Sequence, residues 1–195
     1  LSGGSNGVAL GDFNNDGFLD IFVQREDQDL PGKIPHKLYR NNGSGNFVEV
    51  TGTPITATYS YEQVGDTQGA QWLDINNDGK LDLFVHNELN TQIFLNTSTG
   101  STVSFGSSLT GEYLTNVQGL HFSSSVADYN NDGASDLYIS GFLGSALLKN
   151  NNTQNNWLKI KLQGTQSNRS ALGARIGILV GSTKQSRQII DNPAL

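Results

Sequence analysis

Residues 12–23 read Asp-Phe-Asn-Asn-Asp-Gly-Phe-Leu-Asp-Ile-Phe-Val, and nearly the same stretch occurs twice more in the chain. Residues 74–85 read Asp-Ile-Asn-Asn-Asp-Gly-Lys-Leu-Asp-Leu-Phe-Val, and residues 128–139 read Asp-Tyr-Asn-Asn-Asp-Gly-Ala-Ser-Asp-Leu-Tyr-Ile. The first Asp of the stretch recurs after 62 and then after 54 residues. Self-similarity of this kind is typical of chains built from repeated supersecondary units, here with inserts of variable length.

Each Asp-rich loop leads directly into a predicted strand. The runs at 19–23 and 81–85 are apolar at every position except one Asp, which predicts a strand with both faces buried. A second short strand is predicted in each unit, followed by an Asn-rich turn, and a further edge strand is predicted in the first unit. The second strands lie at 37–40, 92–95 and 146–149, and the edge strand at 47–51. Three to four antiparallel strands in units of roughly 55 to 60 residues predict an all-β fold of propeller blades.

The loops supply oxygen atoms at alternate positions. Calcium takes six to eight oxygen ligands, so a binding loop must bring several oxygens to one point within a few residues. Positions one, three and five would contribute side-chain oxygens, position seven a backbone carbonyl and position nine a carboxylate, while Gly at position six permits the sharp turn. The predicted ligands are Asp12, Asn14, Asp16, Phe18 and Asp20 in the first loop, Asp74, Asn76, Asp78, Lys80 and Asp82 in the second, and Asp128, Asn130, Asp132, Ala134 and Asp136 in the third.

The loop pattern differs from that of an EF-hand. An EF-hand needs Glu at position twelve and flanking helices, whereas position twelve is Val23, Val85 or Ile139 here. Magnesium is disfavoured because it prefers fewer protein ligands and a stricter octahedron. The alternative interpretation is that Asp, Asn and Gly simply form turns. Recurrence at three corresponding places favours calcium at three sites.

The acidity of the chain is concentrated in these loops. The formal charge is −6, and the nine loop Asp make up half of the 18 acidic residues. Three divalent ions would therefore neutralise the chain. A basic stripe of the kind that phosphate backbones require is missing, which argues against nucleic acid as a partner. The sequence has no Cys, which excludes disulfides, and no apolar run approaches 18 residues, so we expect no membrane span.

The three loops with their following strands resemble FG-GAP or VCBS repeats, the blades of integrin-type β-propellers. The run at 38–47, Leu-Tyr-Arg-Asn-Asn-Gly-Ser-Gly-Asn-Phe, is similar to the second half of such a repeat. On this resemblance the repeats span about residues 1–60, 61–115 and 116–155. Residues 156–195 resemble the ASPIC and UnbV module of cartilage acidic protein-like chains, through the runs at 157–162, 168–175 and 187–190. We expect a β segment there that is incomplete, with strands at 157–162 and 173–180.

The resemblance implies a calcium-stabilised extracellular or cell-surface module for structure or adhesion, with a protein or glycan partner. An accessory glycan- or protein-binding domain of a larger secreted enzyme is the alternative. Propellers usually have more blades than three, so sheet edges would be left unpaired. Either further sequence completes the ring, or head-to-tail pairing with another copy covers the edges, which would give a filament if the ring did not close.

We expect no catalytic activity in the chain itself. Residues 3–7 fit the pattern G-x-S-x-G, but a nucleophile elbow needs a strand before it and a helix after it. His36, His86 and His121 are widely separated and lack the spacing of metal ligands.

Four Asn lie in glycosylation sequons. These are Asn42, Asn96, Asn151 and Asn168. The first three are predicted to lie at equivalent turns after the second strand of each repeat, which makes them the stronger candidates in a eukaryotic host.

Overall fold

The computed structural model describes residues 4–26, 34–56, 58–59, 67–87, 91–106, 121–142, 144–152, 155–166 and 168–190. These residues form fourteen strands and a single 3-10 turn at Pro54–Thr56. The strands are β1 Gly4–Gly11, β2 Asp20–Glu26, β3 Ile34–Pro35, β4 Lys37–Asn41, β5 Phe47–Val50, β6 Thr58–Tyr59, β7 Thr67–Leu73, β8 Asp82–Asn87, β9 Thr91–Phe94, β10 His121–Ala127, β11 Asp136–Gly141, β12 Gly144–Leu148, β13 Arg175–Val180 and β14 Thr183–Gln188. The all-β prediction is confirmed, and the described part has no helix long and apolar enough to cross a membrane.

Three antiparallel sheets form the blades. The first blade has the strand order β1-β2-β4-β5, the second β7-β8-β9 and the third β10-β11-β12. The predicted edge strand of the first unit is therefore confirmed as β5. Two further pairs, β3-β6 and β13-β14, lie outside the blades. None of the sheets closes on itself in the described residues, so the architecture is a partial propeller.

The blades stack side by side through their first strands, because β7 contacts β1 on one side and β10 on the other. A core lies in each of the two interfaces. Between the first and second blades it comprises Ala9, Phe13, Phe22, Leu38, Ile55, Leu83, Val85, Phe94 and Phe105. Between the second and third blades it comprises Leu73, Phe84, Ile93, Leu137 and Ile139.

Alternation along β8 serves both cores. Leu83 and Val85 pack toward the first blade while Phe84 packs toward the third, since successive side chains of a strand point to opposite faces. Every residue of β8 is buried, which confirms the predicted strand with two covered faces. In β2 only one face is covered, so Phe22 is fully buried while Val23 is half-buried.

Each outer blade keeps an exposed apolar face. The leading end face, on the first blade, consists of Val8, Leu10, Ile21 and Val23, with Val8 60% exposed. The trailing end face, on the third blade, consists of Tyr129, Tyr138 and Leu147, of which Leu147 is 51% exposed.

The carboxyl-terminal residues differ in part from the prediction. A strand is present at 175–180, as expected, and it forms a hairpin with β14. The strand predicted at 157–162 is absent. Its side chains contact the loops of the blades instead of a partner strand, for example Lys159 Nζ, which donates to Asn131 Oδ1 at 2.8 Å. The predicted repeat boundaries near residues 60 and 115 lie outside the described residues.

Candidate metal-binding loops

The three Asp-rich loops lie in a row along the stacked blades. The first loop, residues 12–20, joins β1 to β2, the second, residues 74–82, joins β7 to β8, and the third, residues 128–136, joins β10 to β11. The row is held together by hydrogen bonds between neighbouring loops. Position four supplies the donor each time, and the carbonyl of the Gly at position six in the next loop accepts: Asn15 Nδ2 bonds Gly79 O, and Asn77 Nδ2 bonds Gly133 O, both at 3.0 Å.

The Asp at position one folds each loop around its own carboxylate. Asp12 accepts hydrogen bonds from the backbone N–H groups of Asp16 at 3.0 Å and Gly17 at 2.8 Å. Asp74 and Asp128 accept the corresponding pairs at 2.9–3.1 Å. The backbone of the Gly at position six is left-handed, with φ of +97°, +88° and +86° in the three loops. A side chain would strain this conformation, which explains the Gly.

Positions three and five tighten the same turn. Asn14 Oδ1 accepts from the Asp16 N–H at 3.2 Å, and Asp16 Oδ1 accepts from the Phe18 N–H at 2.9 Å. The second and third loops repeat both bonds at 2.9–3.0 Å. The three loops therefore share one conformation, as their common sequence predicts.

The Asp at position nine joins the loop to the end of the blade's third strand. Asp20, Asp82 and Asp136 are at most 1% exposed. One carboxylate oxygen accepts from the backbone N–H of position two at 3.0–3.1 Å. The other accepts, at 2.7–2.9 Å, from the backbone N–H of an Asn at or just after the third strand of the blade. Since a carboxylate has about four acceptor directions, each group keeps capacity for another partner.

Burial raises the pKa of two carboxyl groups in each of the first two loops. The pKa of Asp20 and that of Asp82 both rise to about 7 through desolvation, although backbone N–H groups oppose the shift. Desolvation also raises the pKa of Asp12 and of Asp74. Neighbouring carboxylates of the same loop raise all four further. A nearby cation would favour the ionised forms.

The chemistry of the donor set fits a hard cation. Each loop offers three carboxylates, one side-chain amide and backbone carbonyls, all of them oxygen donors of the kind calcium prefers. Among the residues that the structure describes, no three acidic or histidine side chains are gathered into a ready-made metal cluster. The ligand assignment at positions one, three, five, seven and nine stays a prediction.

Sequence reasoning missed the Asn at position four. Asn15, Asn77 and Asn131 have left-handed φ angles of 59°, 54° and 59°. Asn tolerates this region better than most residues, and its amide is then free to reach the next loop. The sequence did contain a signal for this role, because position four is Asn in all three loops although the predicted ligand pattern does not require an Asn there.

A second set of Asn residues also went unrecognised. Asn96 Nδ2 donates to Leu81 O of its own blade at 2.9 Å and to Phe13 O of the preceding loop at 2.8 Å. Asn150 makes the bond to the preceding loop, and Asn41, which lies in the first blade that the structure describes, makes the bond within its own blade. These three residues also carry the N–H groups that bind the Asp at position nine.

The glycosylation predictions change accordingly. Asn96 is 2% exposed and its side-chain amide donates both hydrogens inside the protein, so the fold makes this sequon inaccessible. Asn42 and Asn151 are exposed, but they lie one residue beyond the position equivalent to Asn96. Asn168 is exposed as well, and its Nδ2 donates to Leu172 O at 3.2 Å.

A family model described as an FG-GAP-like repeat matches residues 29–85 and 74–139, which together span more than half of the chain. Both matches end at position twelve of a loop stretch, at Val85 and Ile139. No curated protein matches the chain. The matches stop before residue 156, and the likeness of the remaining segment to the ASPIC and UnbV module stays a prediction.

Proposed function

Because the chain belongs to the FG-GAP-like repeat family, we propose that it is a calcium-stabilised, non-catalytic β-propeller module that binds a protein or glycan partner outside the cell. The observation that carries the proposal is the buried carboxylate at position nine in all three loops. Burial disfavours the charged form of an acidic group, and a bound cation favours it. A fold that buries such groups therefore gains stability when it binds the cation. Residues 156–190 would be an ASPIC and UnbV-like segment of the same module.

The loop residues would hold calcium through the oxygens at positions one, three, five, seven and nine. When bound, calcium would supply positive charge among three carboxylates and link the loop to the strand that follows it. The chain's own residues already provide the framework. The Asp at position nine holds the end of the third strand to the loop by a hydrogen bond, and the Asn at position four holds each loop to the next one in the same way. The resulting rigid row of loops would suit partner recognition.

Removal of calcium tests the proposal. We expect excess EGTA to lower the melting temperature by several degrees, since each site contributes about 1–2 kcal/mol if its Kd is near 0.1 mM and free calcium is near 1 mM. Asp78→Asn in the second loop should reduce this shift. Asp78 is exposed, so the variant should fold.

Glu49→Gln provides the matched control. Glu49 is an acidic residue of β5 that pairs with Lys37, outside the loops, so its variant should keep the full EGTA effect. A melting temperature that EGTA leaves unchanged would remove calcium from the proposed function.

The end faces favour self-association as a second role. In the stacked blades, positions ten and twelve of each loop stretch face the preceding blade, and position eleven faces the following one. Among the described residues, no blade precedes Ile21 and Val23 and none follows Tyr138. A second copy of the chain offers the complementary face to each, in the geometry that the molecule already uses twice.

A further inference from the structure

Residues 155–188, named the C-terminal cap here, contact all three loops. At the first loop, the Ser186 N–H donates to Asn15 Oδ1 at 2.8 Å. At the second, Asn155 Nδ2 donates to Asn76 O at 2.9 Å. At the third, Lys159 donates to the position-four Asn. The cap therefore covers the side of the blades that carries the candidate calcium sites.

The Gly at position six makes close contact with the cap possible. A Cβ on Gly79 would lie 2.3 Å from Gln185 Nε2, and a Cβ on Gly133 would lie 2.1 Å from the Trp157 ring. Neither approach leaves room for a methyl group. The cap thus rests directly on the backbone of the second and third loops.

Arg187 brings a positive charge to the junction of the first and second loops. Its guanidinium donates to Asn15 Oδ1 at 3.1 Å and to Gly79 O at 3.3 Å. Arg187 Nη2 also lies 3.7 Å from Asp74 Oδ2. The guanidinium therefore lies against the carboxylate at position one of the second loop.

Arg187 is better placed to act on a loop carboxylate than Lys149, which forms an ion pair with the third loop. Its side chain is 33% exposed, whereas Lys149, which lies 3.6 Å from Asp132 in the third loop, is 49% exposed. Water screens an exposed pair more strongly. The same Arg187 charge also acts on Asp12, Asp78 and Asp82, so its influence spans two loops.

We infer that Arg187 is a built-in counter-cation that lowers the calcium affinity of the second loop, so that calcium binding and cap docking oppose each other. This inference rests on the proposed function. A guanidinium and a divalent ion that share the Asp74 carboxylate repel each other. Because coupling between two binding events is reciprocal, calcium in the second loop weakens the docking of the cap by the same factor.

Calcium titration of the full chain by isothermal calorimetry at low salt tests the inference. Arg187→Gln should tighten at least one site about fivefold or more, the lower end of typical couplings. Arg187→Lys keeps the charge and should remain close to wild type. Arg169→Gln, which removes an exposed cation elsewhere in the cap, should have no effect.

The outcomes separate the inference from the function it rests on. Wild-type protein that binds calcium with the same affinity as Arg187→Gln, or more tightly, overturns the role of Arg187 and leaves the calcium module intact. Wild-type protein that binds no calcium overturns the proposed function itself.

Hydrogen exchange tests the reciprocal effect in the wild-type chain. Calcium should accelerate exchange of the Ser186 amide, which donates to the first loop when the cap is docked. An exchange rate that calcium leaves unchanged contradicts the opposition between calcium and cap.

Discussion

At the residue scale, the Asp at position nine connects its loop to the end of the blade's third strand. The sequence indicates it as a calcium ligand because it follows a Gly-containing turn at the right distance. Its hydrogen bonds to position two of the loop and to Asn41 or its counterparts were not predictable, because those partners depend on how the blade folds back. The identity of the residue was therefore predictable, but its structural task was not.

Another single residue, His36, makes stability depend on pH. His36 is 2% exposed, and its Nδ1 accepts a hydrogen bond from the Arg25 N–H at 3.1 Å. Its pKa is lowered to about 4, mainly by burial, and the nearby Arg25 charge contributes to the lowering. An unfolded His titrates near 6.5. Between these values the unfolded chain binds the extra proton, so stability is lost as pH falls from about 6.5 to about 4.

Urea unfolding at pH 7 and pH 5 measures this loss. The His36 contribution to wild-type stability should fall by about 2 kcal/mol over this interval. His36→Gln lacks the ionisable ring and keeps the titrating carboxylates, so it should show a smaller loss. The same pH dependence in both proteins would contradict a neutral buried His36.

At the element scale, burial of both faces of a strand was predicted correctly where another blade packs on each side of its sheet. The apolar run that became β8 is buried on both faces, as its composition indicates. The strand predicted at 157–162 is absent although apolar and polar residues alternate there. Alternation shows only that the two sides of a segment differ in polarity, not that another strand pairs with it. There Trp157 packs on Gly133 and Lys159 bonds Asn131. The Asn contacts between neighbouring blades also escaped prediction, since they join residues more than 50 positions apart.

Asn96, which follows the third strand of the second blade, should contribute more to stability than its counterpart in the first blade, Asn41. Asn96→Ala removes two buried hydrogen bonds and leaves the Phe13 and Leu81 carbonyls without that partner. We expect a loss of about 2–4 kcal/mol in the free energy of unfolding. Asn41→Ala removes only one such bond to a carbonyl, that of Leu19, and should cost less, about 1 kcal/mol. Both variants also lose the bond that the Asn Oδ1 accepts from an N–H two residues further on. Equal losses in chemical denaturation would contradict the inter-blade role of Asn96.

At the scale of the whole molecule, the stack has two different ends. The leading end face on the first blade and the trailing end face on the third blade correspond in position to the two sides of the interfaces between blades. Such heterologous contacts give rings if the rotation closes and filaments if it does not. The sequence predicted open edges from the number of loops, but only the stacking order shows which side chains form each end.

Single-residue charges should block association at one end at a time. Val8→Lys disables the leading end face and Leu147→Lys the trailing one, and both side chains are exposed, so the variants should fold. In calcium, light scattering should show mass rising with concentration for wild type and monomers for either variant alone. A mixture of the two variants should form dimers without further growth, because one intact face of each kind remains.

Leu179→Lys serves as the control for this experiment. Leu179 is 71% exposed on β13 and lies outside both end faces, so its variant should associate like wild type. Wild-type chains that stay monomeric at every concentration would count against self-association.

The sheet of the second blade packs against a core on each side, and this determines how local unfolding of one blade affects the others. Among the described blades the outer two pack against the middle one, so apart from the C-terminal cap, which contacts all three loops, the blades are coupled as nearest neighbours along a line, as in solenoid repeats. The outer blades can loosen singly, each against one interface. The middle blade cannot loosen without disrupting the cores on both of its sides, so a change that destabilises it should destabilise all three blades.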